Sequence, residues 1–161
     1  MSSRTRARRR ALEILFEAEQ RGMTETELIR LRSNDPDYPM KPYAVEIVDG
    51  VVTHRDELDD LIAEHSEGWS LDRMPAVDRA LLRVAGWEIL HNDEVPDPVA
   101  IDEAMQLART FSTDESPKFL GGVLSALSAS RNGGPEATEG SEAQEAPADP
   151  EAPEAADRPS E

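Results

Sequence analysis

Residues 76–90, AVDRALLRVAGWEIL, follow directly on Pro75 and decide how the rest of the chain is read. Ala80, Leu81, Val84, Ala85 and Ile89 recur at helical spacing and spread apolar surface over much of the circumference. A helix apolar on most sides must be surrounded by other elements. This segment is therefore expected at the centre of a helical assembly.

The flanking sequence supplies the surrounding helices. On the C-terminal side, Asp97-Pro98 and Ser116-Pro117 each have the form of an N-cap followed by a first-turn proline. Between them Ala100, Ile101, Ala104, Leu107, Ala108 and Phe111 fall on one face. Phe119, Leu120, Val123, Leu124 and Leu127 do the same in the last helix, where Gly121-Gly122 points to close packing. On the N-terminal side, a helix starting near Thr5 carries a stripe of Leu12, Leu15 and Phe16, with Ala11 and Ile14 beside it. Thr24 and Glu27 have capping-box spacing before Leu28, Ile29 and Leu31. The linker SNDPDYPMKP (33–42) then breaks any helix, and Pro42 opens a segment carrying Ile47, Val51, Leu58, Leu61 and Ile62. Gly50 costs that helix about 1 kcal/mol relative to Ala, which marks it as a place of close approach. Trp69 and Trp87 are expected in the core. Strand-like alternation is missing. The expected fold is all-α, with two small helical bundles packed together.

Charge is distributed very unevenly. The 161 residues carry a net charge of −17, yet residues 1–10 hold five arginines and no acid. Residues 132–161 hold nine acids and one arginine, with no Val, Ile, Leu, Met, Phe, Trp or Tyr. Such a segment has almost nothing to bury against its ordering entropy, so 132–161 is expected to be a disordered acidic Ala/Pro/Glu-rich tail on a helical domain, 1–131. No cysteine is present, which removes disulfides, thiolate metal sites and Cys nucleophiles. No apolar run approaches the roughly 18 residues of a membrane span, and no signal-peptide pattern is seen. A soluble cytoplasmic protein is expected.

Little in the chain suggests catalysis. His54, His65 and His91 form no recognised ligand spacing, and phosphate-binding glycine loops and nucleophile elbows are absent. No enzyme activity, cofactor or metal is expected. The arginine arm is the stronger signal. On a helix Arg6, Arg9 and Arg10 share one face, roughly opposite the apolar stripe. Cations in a first helical turn oppose the macrodipole, so repeating them suggests an outside polyanion. The guanidinium fork suits phosphate. The competing reading is a solubilising terminus, or an arm resting on the chain's own acidic surface. Lys118 and Phe119 open the last helix, where an anion and a base could be met by charge and by stacking, although Phe119 serves equally well as core. Asp78, Arg79 and Arg83 line one helix edge and read as exposed surface pairs.

Three stretches carry a family resemblance: RARRRALEILFEAE (6–19), VDRALLRVAGWEIL (77–90) and VAIDEAMQLARTFSTDESPKFLGGVL (99–124). In this order and spacing, over about residues 4–129, the chain resembles the transcription antitermination protein NusB family. The resemblance implies two helical bundles and a non-enzymatic role. That role is binding the boxA element of ribosomal RNA leader transcripts jointly with ribosomal protein NusE, within the RNA polymerase antitermination complex, so that rRNA operons are transcribed processively. Position by position it implies Arg6, Arg8, Arg9 and Arg10 as an RNA-binding arm, and Lys118 and Phe119 as an RNA-facing turn. It implies Asp78 on a NusE-facing surface, with Arg83 one turn beyond. His65 stands where some relatives carry Tyr near the RNA, Phe16 replaces another frequent Tyr, and Leu120-Gly121-Gly122 replaces Val-Asn-Gly. The rival readings are a helical protein–protein interaction module, such as a homodimer without specific RNA binding, and an accessory domain of an RNA-modifying enzyme.

Deleting residues 132–161 should leave helix content and cooperative unfolding unchanged, as read by circular dichroism and urea titration. A loss of more than about 1 kcal/mol would show that the segment docks, since ordinary surface changes stay within about ±0.5 kcal/mol.

Overall fold

The computed structural model of the protein describes residues 2–132. The tail expected over 132–161 lies almost wholly outside them. Among the described residues seven helices follow one another: α1 (Ser3–Arg21), α2 (Glu25–Arg32), α3 (Pro42–Thr53), α4 (Arg55–His65), α5 (Ala76–His91), α6 (Asp97–Phe111) and α7 (Ser116–Arg131). A single 3-10 turn, Leu71–Arg73, precedes α5, and no strand occurs among the described residues. Helices α1–α3 form one bundle and α4–α7 the other. α5 lies between them, touching α1 and α3 on one side and α4, α6 and α7 on the other. Leu81, Leu82, Val84, Ala85, Trp87 and Ile89 are all buried along it, as its near-continuous apolar surface requires.

Local chemistry explains where these helices start and stop. Ser2 caps α1, its Oγ accepting the Thr5 N–H at 3.0 Å, and Gly22 ends that helix at φ 68°, a conformation open to glycine. Thr24 and Glu27 form the expected capping box on α2. Pro42 opens α3 as expected.

Several local expectations need correction. The segment after Pro42 is two helices, broken at His54 (φ −108°, ψ 20°). The β-branched run Val51-Val52-Thr53 weakens the first, while Asp56 and Glu57 favour a new N-terminus for the second. Asp97 and Ser116 do not cap their own helices. Asp97 accepts from the Ser128 hydroxyl at 2.5 Å, and Ser116 donates to Asp78 at 2.9 Å. Phe16 leaves the stripe and is 37% exposed, because Ile14, fully buried two residues earlier, takes the opposite side of α1. Trp69 is only partly buried.

Two glycines set helix separations. A Cβ at Gly50 would lie 2.1 Å from Trp87 Nε1, so only glycine lets α3 approach α5 there. A Cβ at Gly121 would meet Met105 Sδ at 3.0 Å, a tight contact between α7 and α6.

The two bundles are joined by a buried ion pair as well as by apolar contact. Arg8 of α1 is 4% exposed and Glu88 of α5 is 0% exposed. Arg8 Nε donates to both Glu88 carboxylate oxygens, at 3.0 and 2.9 Å, and its Nη1 reaches Glu103 of α6 at 3.5 Å. The Tyr43 hydroxyl of α3 donates to the same carboxylate, and Asn92 Nδ2 donates to that hydroxyl at 3.0 Å. Burial, followed by the bond to Glu88, raises the Tyr43 phenol well above its ordinary range, so it stays a donor.

Arg8→Met should cost about 3–5 kcal/mol, because it leaves Glu88 charged and buried without its partner. Arg8→Met with Glu88→Leu should recover a large part of that loss, and urea unfolding of the two variants measures it. A double variant no more stable than the single one would mean that the stranded charge is not the cause.

Candidate nucleic-acid interface

Because Ser2 starts α1 early, the arginine arm is helical from its first residues and its side chains leave in fixed directions. Arg6 and Arg9 are exposed and Arg10 is half-buried, while Arg8 turns the other way into the ion pair described above. The four arginines expected as one arm are thus split by helical geometry. Arg9 and Arg10 both lean on Glu13, at 3.4 and 2.8 Å, so two guanidiniums share one carboxylate and the face remains net positive. Each also sits over a ring: Arg9 Cζ is 5.1 Å from the Phe111 centroid, and Arg10 Cζ is 3.8 Å from that of Tyr38. Both aromatic contacts hold the side chains outward along the surface.

The Arg9–Phe111 contact brings the arm to the connection between α6 and α7. Phe111 is the last residue of α6 and is 38% exposed. The next residues are tied down from beneath by Asp78, whose carboxylate accepts from Ser112 Oγ at 2.6 Å and Ser116 Oγ at 2.9 Å. Ser116 Oγ in turn accepts the Thr113 N–H at 3.2 Å. Burial pushes the Asp78 carboxyl above the usual carboxylate range, and the two serine hydrogen bonds oppose that shift. An open groove of about 500 Å³ runs beside this connection, lined by Met105, Arg109, Thr113, Asp114, Pro117 and Lys118. Lys118 is exposed there. Phe119 is half-buried, its ring centroid 5.4 Å from that of Trp69 at a tilt of 35°. His65, at the end of α4, has a buried Nε2 with no hydrogen-bond partner among the described residues.

The exposed edge expected for Asp78 is not found. It is 2% exposed and supports the α6–α7 connection from inside. Arg79 is likewise no surface pair; it donates to the carbonyls of Leu71 (2.7 Å) and Met74 (3.0 Å) and binds Glu19 of α1. Arg83 does pair as expected, in a two-pronged contact with Asp59 at 2.8 and 3.0 Å. Arg109 was not singled out by sequence. Only its place in the last turn of α6, close in sequence to Lys118, hinted that the two would share a groove.

The model of the NusB family matches residues 5–129. The chain belongs to the NusB family. The transcription antitermination protein NusB of Arthrobacter sp. (strain FB24) is 51% identical over 127 residues, 79% of this chain and 93% of that protein. Its counterpart from Kineococcus radiotolerans is 48% identical over 128 residues, 80% of this chain and 94% of that protein. Among solved structures, T. maritima NusB is similar with a TM-score of 0.70 and 31% identity, over 86% of this chain and 98% of its own. A NusB-fold chain in a crystal structure of the antitermination factors NusB and NusE in complex with dsRNA gives a TM-score of 0.69 at 28% identity, over 80% of this chain and 99% of that one. No helix among the described residues is long and apolar enough to cross a membrane.

Asp78→Ala should cost roughly 1–3 kcal/mol by leaving the Ser112 and Ser116 hydroxyls without their acceptor. Since the folded-state pKa is raised, stability at this position falls as pH climbs from the ordinary carboxylate value through the raised one, and is level above it. The protein should therefore become less stable relative to Asp78→Asn as pH rises across that window, as read by urea unfolding at stepped pH. A pH-independent difference would show that the Asp78 carboxyl has the same pKa in the folded and unfolded states.

Proposed function

We propose that this NusB-family chain is an RNA-binding transcription antitermination factor. It binds the boxA element of ribosomal RNA leader transcripts together with NusE, works with RNA polymerase in the cytoplasm and catalyses no reaction. The observation that carries this reading is the placement of Arg9 over Phe111. It joins the cationic face of α1 to the α6–α7 connection, just beyond which Lys118 and Phe119 open α7, and so supports phosphate contacts and ring stacking by one RNA. A solved NusB structure in complex with NusE and dsRNA supports the same partners.

Within this reading Arg6, Arg9, Arg10, Arg109 and Lys118 meet the phosphates, and Phe119 and His65 lie nearest the bases. Arg8 and Asp78 act as positioning residues, one holding α1 against α5 and the other holding the α6–α7 connection in place. An Asp78 carboxylate satisfied by two serines would have to break those bonds before touching NusE. That surface is better sought on the exposed residues around Arg83 and Asp59 than at Asp78 itself. Sequence-specific RNA binding mostly uses splayed single-stranded bases, which suits a target read by guanidiniums and one partly open ring.

Replacing Arg6, Arg9 and Arg10 by Ala should weaken boxA and scrambled RNA alike. It should also flatten the slope of log affinity against log salt by about 2, at roughly 0.7 per phosphate on a single strand. Phe119→Leu, which keeps an apolar contact with Trp69, should cost roughly 1–3 kcal/mol of binding per stacked base with little change in slope. Titrations at three or more salt concentrations, with single-stranded boxA, its scramble and a duplex, each with and without NusE, separate these effects. An unchanged slope in the folded triple variant would remove the arm from the RNA site.

A further inference from the structure

We propose that His54, Glu57 and His91 form a binding site for one borderline transition-metal dication of the Zn²⁺ class, bridging the α3–α4 junction and the C-terminus of α5. His54 and Glu57 are three residues apart and His91 lies 34 positions beyond Glu57, yet their ligand atoms all lie within 4.8 Å of one another. His91 Nε2 is 2.8 Å from Glu57 Oε1, and His54 Nδ1 is 3.4 Å from the same oxygen. Ligand atoms on a tetrahedral Zn²⁺ with bonds of about 2.0–2.1 Å stand about 3.3 Å apart; the His54 separation is near that value, and the shorter His91 one would have to open slightly. The imidazoles stack, with centroids 3.8 Å apart and planes 16° from parallel. To bind one ion the rings must turn about χ2 until their lone pairs converge. Both side chains are partly exposed, at 36% for His54 and 28% for His91, which leaves room for that turn and for a water as fourth ligand.

The backbone gives independent support to this placement. His54 is the residue at which α3 ends and α4 begins, and His91 is the last residue of α5. One turn earlier on each helix stand Gly50 and Trp87, which meet so closely that a Cβ at Gly50 is impossible without movement. That buried contact sets the α3–α5 separation and brings the imidazoles together above it. The C-terminal ends of α3 and α5 both favour a cation, and the opposing N-terminus of α4 carries Asp56 and Glu57 in its first turn. One carboxylate oxygen serving two stacked rings is a poor arrangement for two imidazolium cations. It suits a single dication held by two neutral imidazoles and a carboxylate. Imidazole ligands select against Mg²⁺ and Ca²⁺, which prefer oxygen alone. The site shares no residue with the proposed RNA surface and stands independently of it.

The test uses the full chain stripped with EDTA and titrated with ZnCl₂ by calorimetry. One ion should bind per chain, and at about 100 times the dissociation constant the midpoint of thermal unfolding should rise by roughly 5 °C or more. His54→Ala, His91→Ala and Glu57→Gln, each checked for unchanged helix content, should weaken binding at least about tenfold, the loss that even an outer-shell change can produce. His65→Ala should bind as the wild type does. In the unmodified protein, Zn²⁺ should shift the imidazole NMR signals of His54 and His91 and leave those of His65 in place, a readout independent of variant folding. Absence of stoichiometric binding overturns the proposal. So does binding that survives loss of His54 and His91, or that shifts His65 instead.

Discussion

A carboxylate with no solvent exposure cannot remain charged without nearby donors, and Glu88 places that demand at the centre of the molecule. Arg8 supplies two hydrogen bonds from α1, Tyr43 supplies one from α3, and Glu103 of α6 takes the other side of the same guanidinium. The four helices are consequently held in one relative register. An apolar seam alone would tolerate sliding or rotation far more readily. The position of every surface group on α1 follows from this. With Arg8 turned inward, Arg9 and Arg10 lie about 100° and 200° further round α1, which leaves Arg9 exposed and Arg10 half-buried.

The same coupling links core to surface at the far end of α5. Asp78 is buried near the start of the helix whose other end carries Glu88, and it holds the α6–α7 connection through two serines. Arg79 beside it holds the 3-10 turn and reaches α1. α5 is therefore both the apolar axis of the fold and the rail on which its polar supports are mounted. Lys118 and the groove beside it owe their position to a carboxylate that never reaches solvent.

Much of this was legible in sequence because it rests on local periodicity. The central α5, the capping box at Thr24 and Glu27, the helix-opening Pro42 and the close approaches at Gly50 and Gly121 follow from spacing and residue chemistry alone. The misreadings share a different physical origin. Asp78, Asp97 and Ser116 read by residue type as a surface charge or caps, and Arg8 by resemblance as part of the arm, yet each has a partner 31 or more positions away. A long-range polar contact leaves no periodic trace. The cluster of His54, Glu57 and His91 was missed for the same reason, since its last member lies 34 residues from the carboxylate it meets. The break at His54 was obscured by apolar residues that continued at helical steps on both sides of it.

The arm shows how a helix can carry charges that oppose its own stability. The first turn of α1 holds no acid to favour its positive end, and the cap from Ser2 is the main local compensation. Four arginines within residues 6–10 would repel one another on an isolated helix. In the folded chain that repulsion is divided. Arg8 is neutralised inside by Glu88 and Glu103, whereas Arg9 and Arg10 share only Glu13 and lie over aromatic rings. Burying one guanidinium orients its neighbours, and leaving those neighbours incompletely paired keeps a positive face on a chain whose net charge is −17. A polyanion approaching that face meets donors already ordered by the core, so less side-chain entropy remains to be lost when it binds.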